Sequence, residues 1–335
     1  MEQLSVITPE TAMTEPEALD RSLDFSEHLK LIGLFDTSSL YKSLDATGIA
    51  CPLLATQAKQ TNNSGRNKKS FFTLLDGFKR LSWAQDKGLH TVPVIIINSN
   101  IKERLLFLIS KHAKILDTCI AKALFLKFLL DAGFQQDLIV QEAMEPIELQ
   151  PYKALFERYL RVADLPPKVL AFCHKKDFSL KRCLNLTYLP KTLLLAVMDL
   201  EGQISLSASL LQELCDTISE VTRREEMEIK DFFELKEIKA ILSSDKDRTL
   251  KTNLLRQAIR KMRFPTLTKI QNELKKVEKE YLANLPLKVV WDNTLENRKL
   301  TISAIISSEQ EFYELERALS SSHTKKGIKK LLSYF

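Results

Sequence analysis

The stretch from Leu74 to Ile97 constrains the fold most, because two strand patterns flank one helix pattern within it. An apolar run over 71–75 predicts a strand, and apolar residues at helical spacing over 81–84 predict a helix that Gly88 ends. Val92–Ile97 is almost entirely β-branched, which predicts a second strand buried on both faces. Gly77 can supply a positive φ between the first strand and the helix. This part of the chain is therefore predicted to be an α/β unit.

The turn at Gly77 is a candidate phosphate site. Amides without backbone partners at the start of the following helix, with Lys79 and Arg80 beside them, favour an anion. The alternative is a surface turn whose two cations are merely solvated. Spacing alone does not separate these two interpretations.

Four segments resemble motifs of the ParB-like proteins. Gly77 to Arg80 resembles the family's Gly-x-x-Arg turn, which a helix and a Val-Pro-Val-type strand follow. The segment 43–53, which contains Gly48, resembles Ser-Ile-x-x-x-Gly-x-x-x-Pro-Ile, which leads into the family's nucleotide pocket. The segments 184–190 and 202–211 resemble Leu-Arg-Leu-Leu-x-Leu-Pro and Gly-x-Ile-Ser-x-x-x-Ala-x-x-Leu. The motifs also stand in the family's order.

The resemblance implies a pocket for CTP with Mg²⁺, held by Gly48, Gly77, Lys79 and Arg80. Nucleotide hydrolases of the family carry Glu-Asn-x-Gln-Arg at the next helix, whereas residues 108–114 here read Leu-Ile-Ser-Lys-His-Ala-Lys. A lysine can meet phosphate oxygens, but it cannot coordinate Mg²⁺ as a carboxylate does. The expectation is therefore nucleotide binding without hydrolysis, or at most a weak CTPase activity, and no catalytic or metal-binding residue is assigned.

An enzyme of the same fold, a nucleotide-dependent kinase or nuclease, is the rival hypothesis. It requires metal-binding carboxylates near the turn, and Asp76 and Asp86 are available. A turn or capping role explains an Asp before Gly more simply. The sulfiredoxin reaction is not expected, because Lys79 stands where that enzyme has its cysteine.

The middle of the chain carries a helix-turn-helix pattern. Leu165–Cys173 and Phe178–Leu186 read as two short helices, and the gap between them is His174–Asp177. From Lys168 to Lys191 there are six Lys or Arg residues against one Asp, an excess that supports phosphate contact. A helical pair without a role in DNA binding fits the pattern alone equally well, and the adjoining family motif favours DNA binding. The candidate DNA-binding residues are Lys175, Lys176, Ser179, Lys181, Arg182 and Asn185.

The predicted fold class is α+β multidomain. It comprises a ParB/sulfiredoxin-like α/β N-terminal domain, an all-α middle domain with the helix-turn-helix, and a small α+β C-terminal module. The expected boundaries are an acidic, partly disordered leader over 1–30, the N-terminal domain over 31–110, the helical domain over 111–245, and basic helices plus a β-hairpin and a helix over 246–335. The leader holds seven carboxylates against two cations.

Composition places limits on the partners and the compartment. No apolar run approaches the roughly 20 residues that span a bilayer, and the N-terminus lacks a secretory pattern, so a cytoplasmic protein without a membrane partner is expected. The five cysteines show no CxxC pair and are expected to be reduced core residues. The C-terminal module is a candidate for self-association. The basic helices before it fit a second DNA surface or a solvated amphipathic pair equally well.

Together these features predict a bacterial, nucleoid-associated, ParB-like DNA-binding protein. Its expected task is sequence-directed binding in chromosome or plasmid partitioning, or in transcriptional regulation.

Overall fold

The computed structural model of the chain describes residues 10–57, 72–283, 285, 287–292, 294–297 and 299–334. The chain divides into two units. The first comprises Met1–Glu201 and Leu206–Cys215, and the second comprises Gly202–Ser205 and Asp216–Phe335. Within the described ranges, none of the helices combines the length and the apolar character needed to traverse a bilayer.

A mixed sheet lies in the first unit. Its strands among the described residues are Glu10–Thr14 (β1), Leu19–Asp20 (β2), Leu53–Gln57 (β3), Phe72–Asp76 (β4) and Val92–Ile97 (β5). Their order is β1-β5-β3-β4-β2. β5 pairs antiparallel with β1 and parallel with β3, while β4 pairs antiparallel with β3 and parallel with β2. The antiparallel pairing sets Asp76, at the end of β4, against Leu54 at the start of β3.

Two expectations for this sheet are wrong. Val92 and Val94 are fully buried, but Ile95, Ile96 and Ile97 are only half-buried, so β5 does not bury both faces. The reason is that β1 pairs antiparallel with β5, and such a pair needs no crossover helix over the second face. The expectation of disorder in the leader also fails over residues 10–20, which supply β1 and β2.

Most of the first unit is helical. Its helices are Ser26–Leu31 (α1), Ser38–Thr47 (α2), Phe78–Asp86 (α3), Ile101–His112 (α4), Cys119–Asp131 (α5), Gln136–Glu142 (α6), Lys153–Ala163 (α7), Pro167–Lys175 (α8), Leu180–Leu186 (α9) and Lys191–Met198 (α10). Ala208–Arg224 (α11) contributes to both units. Single 3₁₀ turns lie at Pro16–Ala18, Ala113–Ile115 and Glu145–Ile147.

α5 is the central helix of this unit. It is buried on nearly all sides, and α1, α6, α7 and α8 pack around it. α4 and α5 are separate helices, because the Thr118 hydroxyl accepts from the Ala121 amide and caps a new helix. Phe25, His28, His112, Phe125 and Phe128 form an aromatic cluster that joins α1 and α4 to α5.

The second unit contains helices and one hairpin. Its further elements are Ile229–Glu234 (α12), Lys236–Ser243 (α13), Arg248–Arg263 (α14), Pro265–Tyr281 (α15), Lys288–Trp291 (β6), Leu300–Ser303 (β7), Glu309–Ser320 (α16) and Ser322–Leu332 (α17). Pro265 separates α14 from α15 and opens α15, where its missing N–H costs no hydrogen bond. The antiparallel pairing of β6 with β7 confirms the predicted hairpin. A hydrophobic core in the second unit comprises Leu274, Val277, Leu282, Val289 and Leu331.

Two predicted segments fall partly outside the described residues. The run of Asn, Ser and Lys between Gln57 and Ser70, with Arg66, Lys68 and Lys69, predicts a loop between two strands, and beyond Gln57 it lies outside the described residues. Asp292-Asn293 predicts the turn of the hairpin, and Asn293 also lies outside the described residues.

Candidate nucleic-acid interface and phosphate-binding turn

Gly77 sits in the left-handed region, with φ 99°, and begins α3 directly after β4. A Cβ at this position would approach Leu53 Cγ to 2.8 Å and Leu53 Cα to 3.3 Å. Both conditions exclude a larger residue, because the φ is strained for a side chain and the space is already filled. The glycine therefore lets the end of β4 pass close to the start of β3.

Arg80 ties this turn to the segment before β3. Its guanidinium donates to the carbonyls of Cys51 and Pro52, the latter at 2.8 Å, and its Nη2 lies 3.0 Å from Asp76 Oδ2. The side chain is only 17% exposed. Its charge is used within the chain and is not presented to solvent.

Asp76 joins two cations at the turn. Its Oδ1 lies 2.7 Å from Lys111 Nζ, and its Oδ2 pairs with Arg80. Burial by itself raises the pKa of Asp76, but the hydrogen bond and charge of Lys111, the Gly77 amide and Arg80 lower the pKa below its ordinary value. Lys111 also donates to the Leu75 carbonyl at 3.1 Å and lies 4.8 Å from the ring centre of Phe78. The carboxylate therefore stays ionised and paired.

The other two candidate phosphate residues lie apart from this network. Lys79 donates to the Asp36 carbonyl and lies 4.4 Å from the ring centre of Phe35. Gly48 ends α2 with φ 69°, and nothing lies within 4 Å of a Cβ built there. Gly77 and Arg80 are thus brought together, while Lys79 reaches toward the segment before α2.

Lys111 is the residue of this site whose contacts the sequence did not reveal. It lies in the segment where the family's acid is missing, but its pairing with Asp76 depends on how α4 packs against β4. Among the described residues no His, Cys, Asp and Glu cluster suited to a metal ion is present. The turn thus contains two cations and one carboxylate that satisfy one another.

The two helices of the predicted helix-turn-helix are α8 and α9. α8 begins and ends two residues later than predicted, whereas α9 begins two residues later and ends at Leu186 as expected. The left-handed residue of the turn is Asp177, with φ 47°. His174 lies in the last turn of α8, and its Nδ1 lies 2.8 Å from the Thr118 hydroxyl at the start of α5. This contact fixes the first helix of the pair to the central helix.

Buried residues hold α9 against α8. The rings of Phe172 and Phe178 meet edge to face, with centres 5.9 Å apart, and both side chains are buried. Cys183 is fully buried, and its thiol approaches the Phe178 carbonyl at 3.9 Å. The hydrogen bond with Cys119 lowers the pKa of the Cys183 thiol. The hydrogen bond with Cys173 and burial raise it, and together they bring the pKa of Cys183 to about 12. Cys173, Cys183 and Cys215 are buried, as expected, whereas Cys119 is half-buried and Cys51 is exposed.

The residues predicted to meet DNA all lie on the outside of this helix pair. Across the described ranges, no carboxylate lies within ion-pairing distance of the four cations in this predicted set, Lys175, Lys176, Lys181 and Arg182. Lys168 differs, since its Nζ lies 2.7 Å from Asp199 Oδ1. The exposed set is Lys175, Lys176, Ser179, Lys181, Arg182 and Asn185.

The basic helices of the second unit divide into two kinds. On α14, Lys261 lies 3.6 Å from Glu237 and Arg263 lies 2.7 Å from Glu220, so these two cations are compensated. On α15, Lys269, Lys275, Lys276 and Lys279 are exposed. Exposed cations are therefore as numerous on α15 as in the candidate set on α8 and α9.

No family model and no curated protein matches this chain. Solved structures do match it. One is the C-terminally truncated chromosome-partitioning protein ParB from Caulobacter crescentus, complexed to the centromeric parS site. It is 19% identical with a TM-score of 0.30, and the match covers 61% of this chain and 98% of that one.

Two further solved structures that match this chain are also ParB structures. The same Caulobacter protein complexed with CTP-gamma-S matches at 18% identity and a TM-score of 0.23, over 57% of this chain and 97% of that one. A Pnob8-like ParB-N domain matches at 15% identity and a TM-score of 0.33, over 78% of this chain and all of that one. The matched structures belong to the family that the sequence motifs resemble.

Proposed function

We propose that this chain binds duplex DNA through α8 and α9. The observation that carries the proposal is the exposed, uncompensated charge of Lys175, Lys176, Lys181 and Arg182 on a buried helix-turn-helix scaffold. When such cations bind DNA phosphates, the counterions condensed on the DNA are released, and this release drives association.

The geometry of α9 suits a recognition helix. Its seven residues span roughly 10 Å at 1.5 Å per residue, and the major groove is about 12 Å wide. Lys181, Arg182 and Asn185 project from the exposed side, where they can reach base edges, and Ser179 and the turn lysines can meet the backbone. The proposed mode is base reading by α9 with phosphate contacts at its start.

We further propose sequence-directed binding in chromosome or plasmid partitioning, or in transcriptional control. This step rests on the family resemblance of residues 184–190 and 202–211, because charge and helix geometry support DNA binding without identifying its purpose.

The Gly77 turn is proposed as a nucleotide site of reduced capacity. Lys79 and the amides of the first turn of α3 would meet phosphate oxygens of CTP, with Gly48 as the further candidate residue. Arg80 would shape the pocket, since its donors already hold the Cys51 and Pro52 carbonyls. Asp76 does not suit Mg²⁺, because each of its oxygens already pairs with a cation. The same pairing opposes the kinase or nuclease hypothesis, which needs a carboxylate free to bind metal.

Self-association is proposed for the C-terminal module. Large apolar side chains are exposed there, among them Ile305 at 93%, Tyr313 at 54% and Phe312 at 52%. Clusters of this kind mark interaction surfaces. Equilibrium sedimentation should give the mass of a dimer for the wild type and the mass of a monomer for Phe312→Ser. A monomer mass for both proteins would refute this assignment.

The test of the main proposal is retention of a random genomic fragment library by the purified chain. It is run across a salt series, with and without CTP and Mg²⁺. Enrichment of one site is the expected result, and an effect of CTP would support the Gly77 pocket. No retention even at low salt would contradict DNA binding.

A further inference from the structure

Arg161 and Tyr188 form a stacked pair beside the recognition helix that the helix-turn-helix pattern does not include. Arg161 lies on α7, which packs against α9, and Tyr188 follows α9 by two residues. The guanidinium carbon of Arg161 lies 4.8 Å from the ring centre of Tyr188. The tyrosine is 72% exposed, so the ring is not a core residue.

A second contact fixes the guanidinium. Arg161 Nη2 lies 3.3 Å from the Thr187 hydroxyl oxygen. That hydroxyl donates its proton to the Leu184 carbonyl at 2.7 Å, so it can only accept from Arg161. The stacking and this hydrogen bond use the face and one donor of the guanidinium, and they leave most of its five N–H groups for another acceptor.

No acceptor for these donors is supplied by the rest of the described chain. Arg161 is exposed, and within the ranges that the structure covers no carboxylate lies within ion-pairing distance of it. An oriented guanidinium with an available edge suits a bidentate acceptor such as a phosphate. Holding it in place beforehand also reduces the entropy that binding would cost.

The position of the pair relative to α9 indicates which phosphate it would meet. Lys181 and Arg182 lie in the first turn of α9, whereas Thr187 and Tyr188 lie just beyond its last residue, roughly 10 Å further along. That separation is close to the major-groove width of about 12 Å. A helix lying in the groove would therefore carry Arg161 toward a backbone position that the start of α9 cannot reach.

We propose that Arg161, positioned by Tyr188 and Thr187, binds a phosphate of duplex DNA beyond the C-terminal end of α9. This inference rests on the proposed function of α8 and α9. It adds α7 to the interface as a third DNA-contacting helix. Arg158, also exposed and one turn earlier on α7, extends the same basic surface.

The test uses the full chain and a duplex enriched from the genomic library, with the affinity measured across a salt series. Arg161→Gln should weaken binding about 5-fold to 10-fold at 0.1 M salt and reduce the slope of log K against log salt by about 1. Tyr188→Ala should weaken binding in the same direction, and Tyr188→Phe should behave as wild type because it keeps the stacking ring. Arg317→Gln, which removes an exposed arginine from α16, is the matched control and should leave the slope unchanged.

A double-mutant cycle tests the positioning role. If Tyr188 acts by holding Arg161, Arg161→Gln with Tyr188→Ala should cost little more than Arg161→Gln alone. Fully additive losses would overturn the positioning role. An unchanged slope for Arg161→Gln, with the wild type still bound to DNA, would overturn the inference and leave the proposed function intact. Absence of binding by the wild type would instead contradict the proposed function.

Discussion

The Gly77 turn and the α8–α9 surface both concentrate cations in the sequence, but the structure treats these cations in opposite ways. At the turn, Arg80 and Lys111 are bound by Asp76 and by backbone carbonyls of the same chain. On α8 and α9, Lys181 and Arg182 are exposed, and the described part of the chain offers them no carboxylate. The sequence therefore shows where positive charges lie, whereas only the structure shows which of the charged side chains are available to bind a partner.

Burial explains the contrast. Arg80 is 17% exposed, so its donors have lost most of their water and need acceptors within the protein. Exposed lysines keep their hydration and need none. The turn is consequently expected to matter for stability, and the helix pair is expected to matter for binding.

The largest effect is expected from Gly77→Ala. A left-handed residue with a side chain costs about 1–2 kcal/mol, and forcing a methyl group against Leu53 adds about 1–3 kcal/mol of overpacking. The measurement is chemical denaturation. Gly88→Ala is the matched control, since it has φ 66° and nothing within 4 Å of its Cβ, so it should show the backbone cost alone. Equal losses for the two variants would contradict the close approach at Gly77.

His112 should make the first unit sensitive to acid. Burial and then the Lys111 charge lower the pKa of His112 from 6.5 to about 4, against weaker raising by Asp76 and Asp24. The folded state therefore keeps His112 neutral where the unfolded state binds a proton. Stability is fully present above about pH 6.5 and falls between pH 6.5 and 4, by on the order of 3 kcal/mol.

His112→Phe checks this assignment. It preserves an aromatic ring against Phe25 and Phe125, and Nε2 of His112 has no hydrogen-bond partner to lose. Denaturation at several pH values should show a smaller slope between pH 6.5 and 4, with His28, whose pKa burial also lowers, supplying the remainder. Loss of stability below pH 3.8 should persist, because the pKa of Asp76 is itself lowered. An unchanged slope in the upper window would refute the role of His112.

Arg80→Met should cost about 2 kcal/mol of stability, since it removes charged hydrogen bonds at a largely buried position. It should leave DNA affinity unaltered if α8 and α9 form the interface. Lys181→Met is the companion variant, and it should reverse this pattern, with a stability change below about 0.5 kcal/mol. A loss of DNA affinity in Arg80→Met at a temperature where it is folded would remove the contrast between the two regions.

Local patterns in the sequence predicted much of the fold. The β4–Gly77–α3–β5 unit, the break at Pro265 and the α8–α9 pair follow from periodicity, glycine and proline, which act within a few residues. The exposure of Lys181, Arg182 and Asn185 was predictable for the same reason, because Cys183 and Leu186 fix the buried side of α9.

Features that depend on distant parts of the chain were not predictable in this way. β1 pairs with β5 across about 80 residues, and nothing in the polar sequence of residues 10–14 signals that partner. The pairing of Lys111 with Asp76 and the stacking of Arg161 on Tyr188 likewise arise from helix packing. Such contacts decided which candidate cations are compensated.

The salt dependence of DNA affinity should be compared between two variants that each remove two positive charges. Lys181→Gln with Arg182→Gln changes the α9 surface. Lys79→Gln with Lys87→Gln changes α3 and the residue after it, where the Asp36 carbonyl and the Asp45 carboxylate already engage the two ammonium groups. If α8 and α9 form the DNA surface, the α9 variant reduces the slope of log K against log salt by about 1 to 2, and the α3 variant leaves it unchanged. Equal reductions, or a reduction only in the α3 variant, would contradict a DNA surface on α8 and α9.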